Sequence, residues 1–242
     1  MSHTTVFRNV SILLAVLALG ACATPPGSPR SGAVLSTVPE APDRAAHYAI
    51  YLHDVALDRT PDDAERRARL GRVLTALADR GLIVVAEVRP AGTIQKVPED
   101  LDRYARKVAG QVGQLLAAGV PARQINVIGY SRGATLALVT AGHVANNGIG
   151  YVVIAGCMTD GGSFKQFAPM LSRYAEKLTG QFLSIAEGSD RDFGSCAPYF
   201  AKASARPIHA ETILQTGKGH VFAMEPDESW VRPAVAWIME RG

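Results

Sequence analysis

The sequence INVIGYSRGAT, residues 125–135, places a serine between two glycines at the end of an apolar run. Residues 125–129 predict a buried strand, and a helical pattern begins at Arg132. Ser131 therefore lies at a strand-to-helix turn, as either a turn residue without chemistry or a nucleophile held on a strained corner. Gly129 and Gly133 favour the nucleophile, because side chains there would collide with adjacent backbone at so tight a turn.

The composition is that of an ordinary globular protein. Of 242 residues, 48% are hydrophobic and 19% charged, which is enough apolar material for one sizeable core. The formal net charge of +3 is small and the basic residues are scattered, so we expect no nucleic-acid partner. No internal repeat is evident, and one α/β domain can use the whole length. Nothing in the sequence indicates an oligomeric state.

The first 22 residues, MSHTTVFRNVSILLAVLALGAC, predict a signal peptide. Arg8 precedes an apolar run, residues 10–19, that is too short for a permanent membrane-spanning helix. The run ends in LGAC, residues 19–22, which resembles the lipobox of bacterial lipoproteins. The resemblance implies cleavage before Cys22 and acylation of that cysteine. The alternative is an ordinary cleaved signal peptide in which Cys22 is incidental.

The lipobox resemblance divides the chain into three parts. Residues 1–21 form the signal peptide, residues 22–45 the acylated cysteine with a flexible tether rich in Pro, Ser and Gly, and residues 46–242 the folded domain. Lipid chains on Cys22 would hold the protein at a membrane surface. Ala23 is not the aspartate that often retains lipoproteins in the inner membrane, so we expect the periplasmic face of the outer membrane.

Short apolar runs alternate with helical patterns along the domain. Most of the runs are continuously apolar and β-branched, as parallel strands covered on both faces are. The six predicted strands are residues 48–53, 82–88, 125–129, 151–155, 182–186 and 211–214. Five helices are predicted. The first begins at Pro61, with Thr60 as its N-cap, the next three span residues 101–115, 132–146 and 164–178, and the last includes PAVAWIME at 233–240. The alternation predicts a doubly wound α/β fold with a mostly parallel, six-stranded sheet.

A nucleophilic serine needs a base, and His220 has the best position for one. It lies in a Gly-rich loop between the last predicted strand and the last helix, whereas the other histidines do not. An acid is expected between serine and histidine. The loop after the fifth predicted strand offers Asp190 and Asp192, with Glu187 third. We prefer Asp190, which lies at the first turn of that loop.

The order Ser131, Asp190, His220 is that of an α/β-hydrolase triad, with each residue at the end of a strand. Residues 46–242 resemble this family on GYSRG, on the SD after the fifth predicted strand and on GKGHVF. The resemblance implies the order 2-1-3-4-5-6 for the six predicted strands, with no metal or organic cofactor. It also implies a serine hydrolase of carboxylic esters. A peptidase or thioesterase uses the same triad.

The family's oxyanion hole uses two backbone N–H groups, here those of Asp54 and Arg132. Many members have glycine after the histidine that matches His53, whereas this chain has Asp54. A carboxylate facing the oxyanion would repel it. Either the Asp54 carboxylate points away, with Arg132 or Arg89 as candidate partners, or the site is weakened. The second possibility favours a non-catalytic envelope protein on a hydrolase fold.

The insert after the fourth predicted strand, residues 156–181, has room for about one helix and no large lid domain. Its Phe164, Phe167 and Met170 are candidates to line an acyl pocket, although core packing is the alternative use of most of them. Small or short-chain esters are therefore the expected substrates.

Two of the three cysteines, Cys157 and Cys196, follow the fourth and fifth predicted strands. The implied strand order makes these strands neighbours, about 4.8 Å apart. With Cys22 acylated, they are an even pair in an oxidising compartment. We therefore expect a disulfide that ties down the loop carrying Asp190. The alternative is two separate buried thiols.

Overall fold

The computed structural model describes residues 32–241. The predicted signal peptide, the lipobox with Cys22 and the first part of the predicted tether lie outside the described residues. None of the described helices is long and apolar enough to cross a membrane.

Strands and helices alternate along the described chain. The strands are β1 Val34–Leu35, β2 His47–Leu52, β3 Leu82–Ala86, β4 Ile125–Tyr130, β5 Gly150–Ile154, β6 Cys157–Met158, β7 Gln181–Glu187, β8 Phe193–Gly194 and β9 Ile208–Leu214. The α-helices are α1 Val55–Arg59, α2 Ala64–Ala78, α3 Glu99–Ala117, α4 Arg132–Val144, α5 Ala168–Ala175, α6 Ala197–Phe200 and α7 Glu228–Glu240. Short 3₁₀ turns are Ala122–Gln124, Lys165–Phe167 and Gly219–Ala223.

Seven strands form one parallel sheet in the order β1-β3-β2-β4-β5-β7-β9. Without β1, this is the order predicted from the sequence, which is confirmed. A separate antiparallel pair joins β6 to β8. Strand β4 lies in the middle of the main sheet, so the turn after it opens at the centre of the carboxyl edge, where ligands of doubly wound sheets bind.

The sheet has seven strands and not six, because the predicted tether contributes β1. Val34 and Leu35 pair with Val84 and Val85 of β3. An uncovered β3 would present a row of unpaired backbone groups at the sheet edge, and these two residues satisfy part of that row. The prediction of a flexible tether over residues 22–45 is therefore wrong for β1, which is too short to show a periodic pattern.

The predicted start of α2 is also corrected. Asp63, not Thr60, is the N-cap, and its carboxylate accepts a hydrogen bond from the backbone N–H of Arg66 at 3.0 Å. The Thr60 hydroxyl instead donates to the carbonyl of Ala56 in α1. The intervening α1 was not predicted, because five residues are too few for a hydrophobic period.

The two faces of the sheet carry separate cores. Helices α3, α4 and α5 cover one face and α2 and α7 cover the other. Strands β2, β4 and β5 are buried on both faces, as their continuous apolar runs predicted. This packing fixes the backbone on either side of the turn after β4.

Candidate active site

The turn between β4 and α4 holds Ser131 in a strained conformation, with φ 55° and ψ −117°. Only glycine fits on either side of it. A Cβ on Gly129 would lie 2.1 Å from the carbonyl oxygen of Gly133, and one on Gly133 would lie 1.9 Å from that of Leu52. Such strain persists only where the surrounding structure enforces it. The steric expectation for a nucleophile corner thus holds at both glycines.

His220 joins Ser131 to Asp190. Its Nε2 lies 2.9 Å from Ser131 Oγ, and its Nδ1 lies 2.8 Å from Asp190 Oδ2. Both distances are ordinary hydrogen bonds, so a proton can pass from the hydroxyl to an imidazole held by a carboxylate. The three residues singled out from the sequence therefore lie together at the carboxyl edge of the sheet.

Asp190, and not Asp192, is the carboxylate at His220. Asp190 Oδ1 also accepts hydrogen bonds from the backbone N–H groups of Asp192 and Phe193, at 3.0 and 3.2 Å. Partial burial opposes its ionisation, but the hydrogen bonds and the His220 interaction outweigh burial and lower its pKa. Asp192 faces the other way, and its Oδ1 accepts from the N–H of Ser163 at 2.6 Å.

Two aromatic rings that the sequence analysis did not single out hold the His220 imidazole. The ring of Phe193 stacks on it at 4.7 Å between centroids, and that of Tyr130 stacks at 5.5 Å. The Tyr130 hydroxyl also donates to the backbone carbonyl of His220 at 2.6 Å. Tyr130 lies inside the GYSRG motif, so the sequence could have indicated its contact with His220. No motif marks Phe193.

Glu187, the third candidate acid, fastens the two loops that carry Asp190 and His220. Its carboxylate accepts from Ser189 in the first loop and from the N–H and hydroxyl of Thr216 and the N–H of Gly217 in the second. Burial opposes its ionisation, but these hydrogen bonds lower its pKa to about 2. Glu187 is therefore a positioning residue.

A disulfide joins Cys157 to Cys196, with the Cα atoms 5.2 Å apart. The predicted pairing is thus present in the structure. Nearby, Cys157 pairs with Gly194 in the β6–β8 ladder, so covalent and hydrogen bonds hold the same segment. The loop that carries Asp190 is therefore restrained on both sides, by Glu187 at its start and by the disulfide at its end.

The proposed oxyanion groups lie on two separate elements. The N–H of Arg132 begins α4, where the helix dipole favours negative charge, and that of Asp54 lies just before α1. Within residues 32–241, neither N–H donates a hydrogen bond to the protein. Two unpaired donors beside the nucleophile turn are what an oxyanion hole requires.

The Asp54 carboxylate pairs with neither candidate arginine. It caps α1, accepting from the N–H of Leu57 at 3.0 Å. The helix N-terminus is a favourable place for a carboxylate, which accounts for an acidic residue at this position. The pairing with Arg132 or Arg89 suggested from the sequence is therefore wrong.

Arg89 holds the loop that carries Asp54 by its backbone. The guanidinium is fully buried and donates to the carbonyls of His53 and Asp54 at 2.6 and 3.0 Å, and to the buried Asp58 carboxylate at 2.6 Å. The backbone N–H of Arg89 donates to Nε2 of His53. Burial and the charge of Arg89 lower the pKa of His53 to about 3, so His53 is a neutral structural group.

An apolar cavity of about 60 Å³ opens beside Ser131. Its lining includes Phe164, Phe167 and Met170, the three candidates for an acyl pocket, together with Phe193. Among residues 32–241, no group of three or more His, Cys, Asp or Glu side chains is placed to hold a metal ion. The arrangement can therefore supply a nucleophile, a base and an oxyanion site next to a small apolar pocket.

Neither a protein-family model nor a curated protein matches the chain. Solved structures do match it. Arabidopsis thaliana SOBER1 has a TM-score of 0.55 and 13% identity, over 81% of this chain and 99% of its own. An esterase from Rhizomucor miehei has a TM-score of 0.57 and 13% identity, over 81% and 74%. An esterase/lipase from an uncultured bacterium has a TM-score of 0.55 and 14% identity, over 81% and 77%. These likenesses establish the α/β-hydrolase fold.

Proposed function

We propose that the protein is a serine hydrolase of small carboxylic esters. The proposal rests on one observation, the continuous hydrogen-bonded chain from Ser131 Oγ through His220 to Asp190 at a strained strand-to-helix turn. The neighbours SOBER1 and the esterases share the fold, and this likeness supports ester hydrolysis on the same scaffold.

The residues act in a defined order. Ser131 Oγ attacks the ester carbonyl while His220 Nε2 takes its proton, and Asp190 stabilises the resulting imidazolium. The N–H groups of Asp54 and Arg132 receive the oxyanion. His220 then passes the proton to the alcohol that leaves. Water repeats the sequence on the acyl-enzyme and releases the acid.

The capping role of Asp54 bears on the non-catalytic alternative. That alternative drew its support from a carboxylate that would face the oxyanion. The carboxylate accepts a hydrogen bond at the start of α1, and this structural role accounts for Asp54 in an active enzyme. The small volume of the cavity beside Ser131 favours short acyl groups.

Covalent labelling tests the proposed function. We expect a fluorophosphonate probe to modify the purified domain at Ser131, found by peptide mass spectrometry, because His220 activates that hydroxyl alone. The Ser131→Ala variant should remain unlabelled at an unchanged melting temperature. A folded wild-type protein that stays unlabelled would contradict the proposal.

We further propose that acylated Cys22 anchors the enzyme at the periplasmic face of the outer membrane. The support is the lipobox LGAC after the apolar run, which lies outside the described residues. The full-length protein made in bacteria should partition into detergent, whereas Cys22→Ser should not. Recovery of the wild type in the aqueous phase without detergent would rule out the anchor.

A further inference from the structure

A second cavity of about 730 Å³ continues from the apolar pocket beside Ser131. Four residues line both spaces, and these are Val55, Val97, Arg132 and Phe167. An acyl chain that enters the apolar pocket therefore meets the larger cleft next. The larger cleft has a charged lining, because Arg59 and Asp58 line it together with Arg132.

The charge in this cleft is positive. Asp58 is the one carboxylate among its lining residues, and it is already paired with the buried Arg89 at 2.6 Å. Within residues 32–241, the side chain of Arg59 has no hydrogen bond or ion pair. The side chain of Arg132 has a single hydrogen bond, at 3.3 Å to the carbonyl of Ile94. The lining of the cleft thus holds two guanidinium groups, those of Arg59 and Arg132, and one carboxylate that Arg89 already pairs.

The Arg132 guanidinium is in an unfavourable setting for a cation. Burial and the charges of Arg89 and Arg59 lower its pKa, and Asp58 only partly opposes them. A half-buried cation without a paired anion is costly, and a bound anion would offset that cost. Arginine is also suited to carboxylates, because its planar fork can donate two parallel hydrogen bonds.

We propose that the preferred substrates are esters whose acyl chain ends in a carboxylate, which Arg132 and Arg59 bind in this cleft. The inference rests on the proposed esterase activity and adds its substrate class. Arg132 then has two roles. Its backbone N–H receives the oxyanion, and its side chain selects the far end of the acyl group.

Two p-nitrophenyl esters with acyl chains of the same length test the substrate class. They are the neutral hexanoate and the anionic monoadipate, whose carboxylate is too distant for rapid attack on its own ester. We expect kcat/KM to be about 10-fold higher for the monoadipate, as for a charge-assisted hydrogen bond. Added salt should reduce this ratio, because Arg59 is exposed to screening.

Two variants locate the effect. Arg59→Gln should reduce the monoadipate-to-hexanoate ratio about threefold, as for an exposed ion pair, and Arg132→Gln should reduce it about 10-fold. Arg232→Gln is the matched control, because Arg232 is an exposed arginine on α7 that does not line the cleft. It should leave the ratio unchanged.

The outcomes separate the two proposals. If neither ester is hydrolysed, the proposed esterase function fails. If the hexanoate is hydrolysed at least as well as the monoadipate, and Arg59→Gln leaves the ratio at the wild-type value, the substrate class alone is wrong. A ratio that falls equally in Arg59→Gln and Arg232→Gln would also overturn it, because general surface charge would then be the cause.

Discussion

Replacing His220 with alanine is expected to lower kcat/KM for a p-nitrophenyl ester by about 10⁴-fold or more. Among residues 32–241, the imidazole is the one group hydrogen-bonded to both Ser131 Oγ and the Asp190 carboxylate. Without it, the serine hydroxyl keeps its proton and stays a poor nucleophile. The residual rate would come from the oxyanion groups and from substrate binding alone.

His143 offers a matched control for that variant. Its Nε2 lies 2.8 Å from Asp102, so it forms a similar pair with a carboxylate, but in the described part of the chain no serine is hydrogen-bonded to it. His143→Ala should keep nearly wild-type activity. Equal losses in the two variants, or a folded His220→Ala that keeps about a tenth of the activity, would contradict the assigned base. Melting temperatures must be compared, because His220→Ala also removes ring stacking with Tyr130 and Phe193.

Asparagine at Asp190 is expected to lower kcat by about 10³- to 10⁴-fold, as in other triads. The amide cannot stabilise an imidazolium, and its NH₂ group allows the wrong histidine tautomer to form. Asp192→Asn should change kcat by less than about threefold, because the Asp192 carboxylate accepts from the Ser163 backbone, and within residues 32–241 it forms no hydrogen bond with His220. Steady-state kinetics on one short-chain ester would measure both.

The comparison of these neighbouring carboxylates decides which one is the acid. A larger loss in Asp192→Asn than in Asp190→Asn would move the assignment by two residues. Hydrogen–deuterium exchange of residues 188–196 provides the control for loop structure, because both side chains accept backbone hydrogen bonds there or in the facing insert.

Local sequence patterns were sufficient to predict the central sheet and to select the candidate residues that the structure brings together at its edge. Strands β2, β4 and β5 are buried on both faces, so their apolar runs are continuous and easily recognised. The glycines at 129 and 133 indicate, within a segment of five residues, that the backbone around Ser131 is too close to other backbone for a side chain. Asp190 and His220 follow β7 and β9, and parallel strands bring such loops to one edge.

Contacts between distant segments could not be predicted in this way. Arg89 and Asp58 are separated by 31 residues, and neither belongs to a motif that marks a buried ion pair. Strand β1 forms because the edge of β3 is free to pair, and its own two residues carry no recognisable strand pattern. Asp54 illustrates the same limit, because its partner depended on α1, a helix too short to leave a periodic signal.

The hydrogen bonds of Glu187 make the site sensitive to acid. The pKa of this carboxylate is about 2, against an ordinary 4.5, so it binds a proton less readily in the folded than in the unfolded state. Its stabilisation, up to about 3 kcal/mol, is complete above pH 4.5 and is lost as the pH falls towards 2. Protonation removes contacts that hold the loops of Asp190 and His220, while the central strands β2, β4 and β5 contain no carboxylate. Strong acid should therefore separate Ser131, His220 and Asp190 before it unfolds the central sheet.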